Sequence, residues 1–259
     1  MKRLTNFDKE KLKSLQNQGL SLREISKITN IPLSTVQYSL NRNNLNPRTR
    51  EMKLPHSNFT QGELVGAFAG DGNFFYDTNG RSRHYRITYC LSYKDDQDYA
   101  KYLKDVIYNI GLNPWTFIKR DKGNPSGLNV VFNSRKFSEF LKFHLIWNGV
   151  KTYSVNLKND INHYNKDFLF GFVRGAMDTD GHMGVYNITF GVVSKDLTEN
   201  IRAILSLLKI EALVKSRKEK KGKDLYYLRV KKKYLSIYNE NIGFSNPRKQ
   251  KKLLEVLKR

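Results

Sequence analysis

The sequence predicts an α+β protein, two copies of an αββαββα unit preceded by a small all-α unit. Three observations predict it. The stretch "LVGAFAGDG" at 64–72 recurs without a gap as "VRGAMDTDG" at 173–181, an offset of 109 residues. After each copy, segments of alternating apolar residues and segments of helical periodicity follow in the same order. Upstream, residues 6–42 hold three short segments of helical pattern with capping and turn residues between them. A repeat of this period is too long for a solenoid. It suggests two folded units paired about a pseudo-twofold axis.

The chain has 259 residues, 39% of them hydrophobic, with 15 Phe and 15 Tyr, enough for a sizeable core. Lys and Arg number 46 against 24 Asp and Glu, a formal charge of +22. Such a balance points to a polyanionic partner, nucleic acid before an anionic membrane. No apolar run approaches the roughly 18 residues a membrane span requires. The N-terminal "MKRLTNFDKEKLKSL" has no apolar signal core, and the single cysteine, Cys90, excludes a disulfide framework within one chain. An intracellular setting is therefore expected.

The elements follow in order. In "FDKEKLKSLQNQG", Phe7, Leu12 and Leu15 are the apolar positions and Gly19 closes the helix. "SLREISKITN" opens on Ser21 with Glu24 three residues later, a capping-box pattern. "PLSTVQYSLNRN" opens at Pro32, with Ser34 as the expected N-cap. The last two helices meet at a tight turn near Asn30, so residues 1–45 have the helix-turn-helix pattern. The third helix would offer Ser34, Thr35, Gln37 and Tyr38 to a DNA groove. Residues 46–58, polar, basic and with two prolines, are expected to be a linker. Residues 59–163 and 164–259 form the first and second repeats.

In each repeat an apolar helix ends at Asp-Gly. Two strands follow, "NFFYDT" with "HYRITYCLS" and "HMGVY" with "NITFGVVS", then a helix opening on "KD". A second strand pair covers about 114–120 with 128–133, and about 212–218 with 225–230. Final helices lie near 134–145 and 231–240. Alternation puts Phe75, Asp77, Asn79 and Arg81 on the open side of one strand, and His84, Arg86, Thr88, Cys90 and Ser92 on that of the next. Ile87, Tyr89 and Leu91 face the helices. In the second repeat Tyr186, Thr189, Lys215, Arg217, Tyr227 and Arg229 form the matching set. A basic, hydrogen-bond-rich ribbon of this kind can read base edges in a major groove.

The recurring stretch carries the chemistry. Gly62 and Gly66 are four apart, as are Gly171 and Gly175. Each glycine costs a helix about 1 kcal/mol relative to alanine. Close backbone approach between the two motif helices would offset that cost. Their C-terminal ends would then bring Asp71 and Asp180 together, with Gly72 and Gly181 turning the chain out in a left-handed conformation. Two acids at helix C-termini repel each other and oppose the helix dipole. A hard divalent cation, Mg²⁺ or Mn²⁺, would relieve both costs.

These two stretches, with this spacing and this element order, resemble the paired motifs of the LAGLIDADG homing endonucleases in their single-chain, two-repeat form. The resemblance covers about residues 59–259. It implies a monomer whose motif helices form the pseudo-twofold interface and whose sheets form a saddle over double-stranded DNA. It implies metal binding by Asp71 and Asp180, assisted by the carbonyls of Gly70 and Thr179. It also implies a basic residue after the last helix of each repeat that polarises solvent at the phosphate. Lys151 stands there in "WNGVKTYSVNL", and Lys249 is the choice in "IGFSNPRKQKKLLEVL", with Arg248 and Lys251 left open. Tyr93 and Ser194 occupy the place of a water-ordering residue.

The sequence departs from the family at Ala69, where an acid is common; Asp178 keeps that acid in the second motif. The expected activity is a sequence-specific, Mg²⁺-dependent double-strand break in a long site, in the service of gene or intron mobility. The alternatives are a non-cleaving DNA-binding regulator of the same fold and an RNA-binding intron maturase. Protein splicing is not expected, since the chain opens at Met1 without a nucleophile and ends in "VLKR".

Overall fold

The computed structural model describes residues 4–18, 20–41, 52–77, 84–218 and 223–259. They fall into two compact units, Met1–Glu51 and Met52–Arg259.

In the first unit, α1 (Asn6–Asn17), α2 (Leu22–Thr29) and α3 (Leu33–Asn41) enclose Leu12, Ile25, Val36 and Leu40. Thr5 with Asp8, and Ser21 with Glu24, each form a complete capping box. Asn30 takes the left-handed conformation at φ 52° and turns the chain from α2 toward α3. Two expectations are corrected. Ser34 is not the N-cap: the Pro32 carbonyl accepts from Val36 N at 3.0 Å, so the helix already runs from Leu33. Phe7 is exposed. It lies five residues from Leu12, off the i, i+3, i+4 stripe that Leu12 and Leu15 occupy.

The second unit holds both repeats. Ser57 caps α4 (Asn58–Asp71), which leads into β1 (Gly72–Asp77), β2 (His84–Ser92), α5 (Gln97–Asn109), β3 (Trp115–Asp121), β4 (Asn124–Asn133) and α6 (Arg135–His144). Short pieces β5 (Leu145–Ile146), α7 (Lys151–Ser154) and β6 (Asn156–Leu157) follow. The second repeat runs α8 (Lys166–Asp180), β7 (Gly181–Met183), β8 (Asn187–Val192), α9 (Lys195–Ser206), β9 (Lys215–Lys218), β10 (Asp224–Lys231), α10 (Leu235–Asn241) and α11 (Pro247–Leu257). Residues 52–57, read as linker, are fixed to this unit: Lys53 N donates to Ile110 O at 3.0 Å and Met52 packs on the core. The helix α11, opened by Pro247 in its first turn, is an element the periodicity did not yield.

Two antiparallel sheets have the same strand order, β1-β2-β4-β3 and β7-β8-β10-β9. Gly72 pairs with Tyr89 and Gly181 with Phe190. The offset between repeats therefore falls from 109 residues at the glycine to 101 at its partner, and the second hairpin is eight residues shorter. Ile87, Tyr89 and Leu91 are buried under the helices, as the alternation requires. One continuous core joins both repeats, from Tyr89, Phe132 and Phe137 to Phe190, Leu228 and Tyr238.

Candidate active site and nucleic-acid interface

The helices α4 and α8 lie against one another with backbones in contact. A Cβ on Gly62 would overlap the Phe168 carbonyl, and one on Gly171 would overlap the Phe59 carbonyl. Gly66 stands in the same relation to Phe172, and Gly175 to Glu63. With the offset of 109, Phe59 corresponds to Phe168 and Glu63 to Phe172, so the contact is reciprocal. Reciprocity of this kind is what a twofold-related interface demands. Any side chain in place of these glycines would force the helices apart.

Both helices end beside each other. Asp180 lies against the backbone of Gly70. The acids feel each other: burial, then the charge of Asp180, pushes Asp71 up to about 7. Burial also raises Asp180, to about 6, against the pull of Lys151 and Lys249. The glycines after the acids are extended, at φ −76° for Gly72 and −79° for Gly181, and not left-handed as expected. Glycine is needed there for another reason. A Cβ would strike Phe68 at one end and Met177 at the other.

The lysines close the helix ends. Lys151 Nζ donates to the carbonyls of Phe68 at 2.8 Å, Ala69 at 2.7 Å and Gly70 at 2.7 Å. Lys249 Nζ donates to Met177 at 2.9 Å, Asp178 at 2.6 Å and Thr179 at 3.2 Å. These are equivalent carbonyls at the offset of 109. Each ammonium has three N–H groups and meets three carbonyls of a helix terminus, the first of which, Phe68 or Met177, also accepts from the following glycine N–H. The positive charge also sits where the helix dipole is negative. Burial lowers Lys151 to about 8, while Asp180 and Asp71 hold it up. Of the basic residues left open by the sequence, Arg248 instead reaches Asp95 O and the Asp96 carboxylate, and Lys251 is exposed. The shared spacing Asn-X-X-Lys, in "NGVK" at 148–151 and "NPRK" at 246–249, is the signal that could have paired the lysines.

The donor set facing a cation is two carboxylates. Among the described residues no cluster of three or more His, Cys, Asp or Glu is placed to hold a metal, at these acids or elsewhere. The Gly70 and Thr179 carbonyls each accept from a lysine and keep a second lone pair. A desolvated, mutually repelling pair of carboxylates fits a hard divalent ion.

Ser194 lines one cavity with Asp180 and Gly70, but its hydroxyl is engaged in structural bonds. It is buried, caps α9 by accepting from Leu197 N, and donates to Val155 O at 2.8 Å. Tyr93 lies in the turn after β2. The open-face position beside Asp71 is instead Cys90, whose thiol is raised by burial and by the Asp71 charge. Its register equivalent in the second repeat is Gly191.

On the open face of the first sheet, Asn73, Phe75, Arg86, Thr88, Cys90, Phe117, Lys119 and Asn129 line one groove of about 640 Å³. Phe75, Arg86, Thr88 and Cys90 match the expected open face; Asn73 shares it two residues before Phe75, and Phe117, Lys119 and Asn129 stand on β3 and β4, to which the sequence assigned no face. Asn79 and Arg81 lie outside the described residues. The backbones of Asp77 and His84 pair at the end of the ribbon. In the second sheet the register aligns Thr189 with Arg229 and Tyr227 with Lys215, and Arg217 follows two residues on. Tyr186 lies in the turn between β7 and β8, 5.2 Å from the Lys232 ammonium. Thr35 is half-buried in α3, while Ser34 and Gln37 are exposed.

In its fold and its paired helix ends the chain is similar to the two-repeat LAGLIDADG proteins. Residues 167–243 match the sequence profile of a LAGLIDADG-like domain. The homing endonuclease I-DmoI, in complex with DNA and Ca, superposes with a TM-score of 0.58 at 14% identity, covering 76% of this chain and 98% of that one. Full-length DUF199/WhiA from Thermatoga maritima superposes with a TM-score of 0.52 at 13% identity, covering 80% of this chain and 62% of that one. At these identities the likeness is one of fold. An uncharacterized protein of Methanocaldococcus jannaschii is 25% identical over 95% of this chain and 91% of its own length. The replication factor C small subunit of the same organism is 31% identical over 76% of this chain, which spans only 10% of that protein's length. Among the described residues no helix is long and apolar enough to cross a membrane.

Proposed function

We propose that this chain is a DNA endonuclease that hydrolyses one phosphodiester in each strand of a long site, using a divalent cation held by Asp71 and Asp180. The observation that carries the reading is the pairing of these acids at the ends of two helices packed through glycine. A protein that only binds has no use for two buried carboxylates, one of them raised further by the charge of the other. The similar I-DmoI was solved with DNA and Mn as well as with Ca, which supports a divalent ion without selecting Mg²⁺.

Bound between the carboxylates, such an ion would supply Lewis-acid activation of water and neutralise charge on the phosphate. The chain's own residues do the rest. Asp71 and Asp180 hold their charge toward the shared space. Lys151 and Lys249 fix the helix ends from which those acids project, and add positive potential for a phosphate. The open faces of the two sheets carry Arg86, Lys215, Arg217 and Arg229 toward a polyanion. In the net reaction the water oxygen bonds to phosphorus, one P–O bond breaks, and the departing oxygen takes a proton. Residues 1–45 would add a DNA contact through α3, with residues 59–163 and 164–259 as the two half-site readers.

A second reading, a DNA-binding protein without cleavage, is favoured by the three-helix first unit and by the shared fold of DUF199/WhiA. One experiment separates them. The full chain is incubated with a randomised duplex library in Mg²⁺ or Mn²⁺, beside Asp71→Asn and Asp180→Asn. The endonuclease reading expects double-strand breaks from the parent and nicks or nothing from each variant. Tight, selective binding with no cut in either metal establishes the second reading.

A further inference from the structure

The two open faces share a strand order but carry different chemistry. On the first sheet the register places Phe75 beside Arg86, Trp115 across from Val131, and Phe117 across from Asn129. Phe75 is 54% exposed, Phe117 48% and Trp115 41%. Large apolar side chains are seldom left this bare on a sheet face unless they meet something. Cations flank them: the Arg86 guanidinium stands 5.9 Å from the Phe75 ring centroid, and Lys119 lines the same groove. On the second sheet, the residue in the place of Phe117 is Lys215 and that in the place of Val131 is Arg229. Trp115 has Leu213 as its counterpart, and Asn129 has Tyr227.

A duplex major groove offers two kinds of partner to such faces. Guanine presents two acceptors that suit arginine, and thymine presents a methyl group that suits an aromatic edge. The flanking cations exclude a purely apolar occupant and favour a polyanion with apolar spots. We infer that the two repeats read their half-sites by different chemistry: the first sheet selects thymine methyl groups through Phe75, Trp115 and Phe117, and the second selects guanine and grips phosphate through Arg229, Lys215 and Arg217. This rests on the DNA-binding part of the reading above and not on cleavage. It makes the preferred site asymmetric, thymine-rich under one repeat and guanine-containing under the other.

The test uses the full chain and a binding selection in chelator, so that cleavage plays no part. Selected sites are then remade with deoxyuridine for each thymine, which removes the methyl and nothing else. One buried methyl corresponds to about a fourfold change in affinity. Uridine substitution is expected to weaken binding about fourfold at two or three positions, all in one half-site. Phe75→Ala, Trp115→Ala or Phe117→Ala should each erase the sensitivity at one of them. These side chains are exposed, so the variants keep the core. If uridine is equivalent to thymidine throughout, or if the sensitive positions lie in both half-sites alike, the inference fails while the endonuclease reading stands. A chain that selects no DNA sequence overturns both.

Discussion

The flanks of the two motif helices are related by the repeat and opposite in character. Beside the end of α8, Asp178 is 1% exposed and accepts from Ser245 N and Asn246 N, both at 3.0 Å. Its surroundings are polar: Tyr102 donates to Glu63 Oε2 at 3.0 Å, and Asn246 Nδ2 donates to Asp96 Oδ1 at 2.8 Å. Beside the end of α4 the equivalent of Asp178 is Ala69, and the equivalents of Glu63, Tyr99 and Tyr238 are Phe172, Leu197 and Phe140. There Trp147, in the place of Ser245, packs on Phe68 at 6.0 Å between ring centroids. The acid at this position is therefore a fastener for the segment that follows the repeat. One repeat fastens that segment with a carboxylate and backbone N–H groups, the other with aromatic packing. The departure at Ala69 is a substitution of one fastening by another, and the acid that ends each motif helix is present in both.

The comparison can be broken most severely at the glycines. Replacing Gly66 or Gly175 by valine should each cost at least about 3 kcal/mol, because the new atoms meet backbone and not flexible side chains. Urea denaturation should show similar losses for both. A loss confined to one of them would mean the two halves of the contact are not equivalent.

Next come the two unlike flanks. Ala69→Asp would bury a carboxylate among apolar neighbours and should cost about 3–5 kcal/mol. Asp178→Ala would leave two backbone N–H groups without acceptors and should cost about 2–3 kcal/mol. If Ala69→Asp is neutral, the first repeat has its own donors ready and the contrast drawn here is wrong.

The pH dependence sharpens the same contrast. Burial, then the charge of Glu63, raises Asp178 to about 8. A carboxyl whose folded pKa lies above its unfolded value of 3.8 binds a proton more tightly when folded. Its contribution is complete below about pH 4 and is lost as pH rises toward 8. Unfolding free energy in chelator should therefore fall across that window, with Asp178 contributing up to about 1.4 kcal/mol per pH unit. Asp71 and Asp180 have the same sign. Asp178→Asn should flatten the slope, and an unchanged slope would show that Asp178 is ionised in the fold.

The smallest effect is expected at the lysines. Lys151→Met and Lys249→Met each take a donor from three carbonyls, of which only Phe68 or Met177 keeps the bond from the following glycine, a loss of about 1–3 kcal/mol. Lys249, 4% exposed, should lose more than Lys151. Equal thermal shifts would argue that the two ends are equally open to solvent.

Much of this was legible in the residues. The recurrence of Gly, Gly, Asp and Gly at one offset located both helix ends, because close packing and a shared charge site restrict residue type position by position. Alternation in "HYRITYCLS" separated the buried from the open face, since a strand has a strict period of two. The segments around Lys151 and Lys249 were harder. They have no long periodicity, and α11 is amphipathic over only 11 residues. Cys90 stands beside Asp71 in place of Tyr93 because hairpin register, not distance along the chain, decides which residue of β2 faces a helix end. Phe117 and Trp115 stand on β3, to which the sequence assigned no face.

The sequence by itself determined the duplicated architecture, the glycine contact and the pair of acids, because each is written as a residue type that backbone approach or charge requires. Only the tertiary structure decided which lysine closes which helix, that Ala69 and Asp178 belong to different fastenings, and that Phe117 on one open face stands where Lys215 does on the other. Those facts depend on which residues of distant segments meet, and such meetings are set by register and packing across the core, where no local pattern reaches.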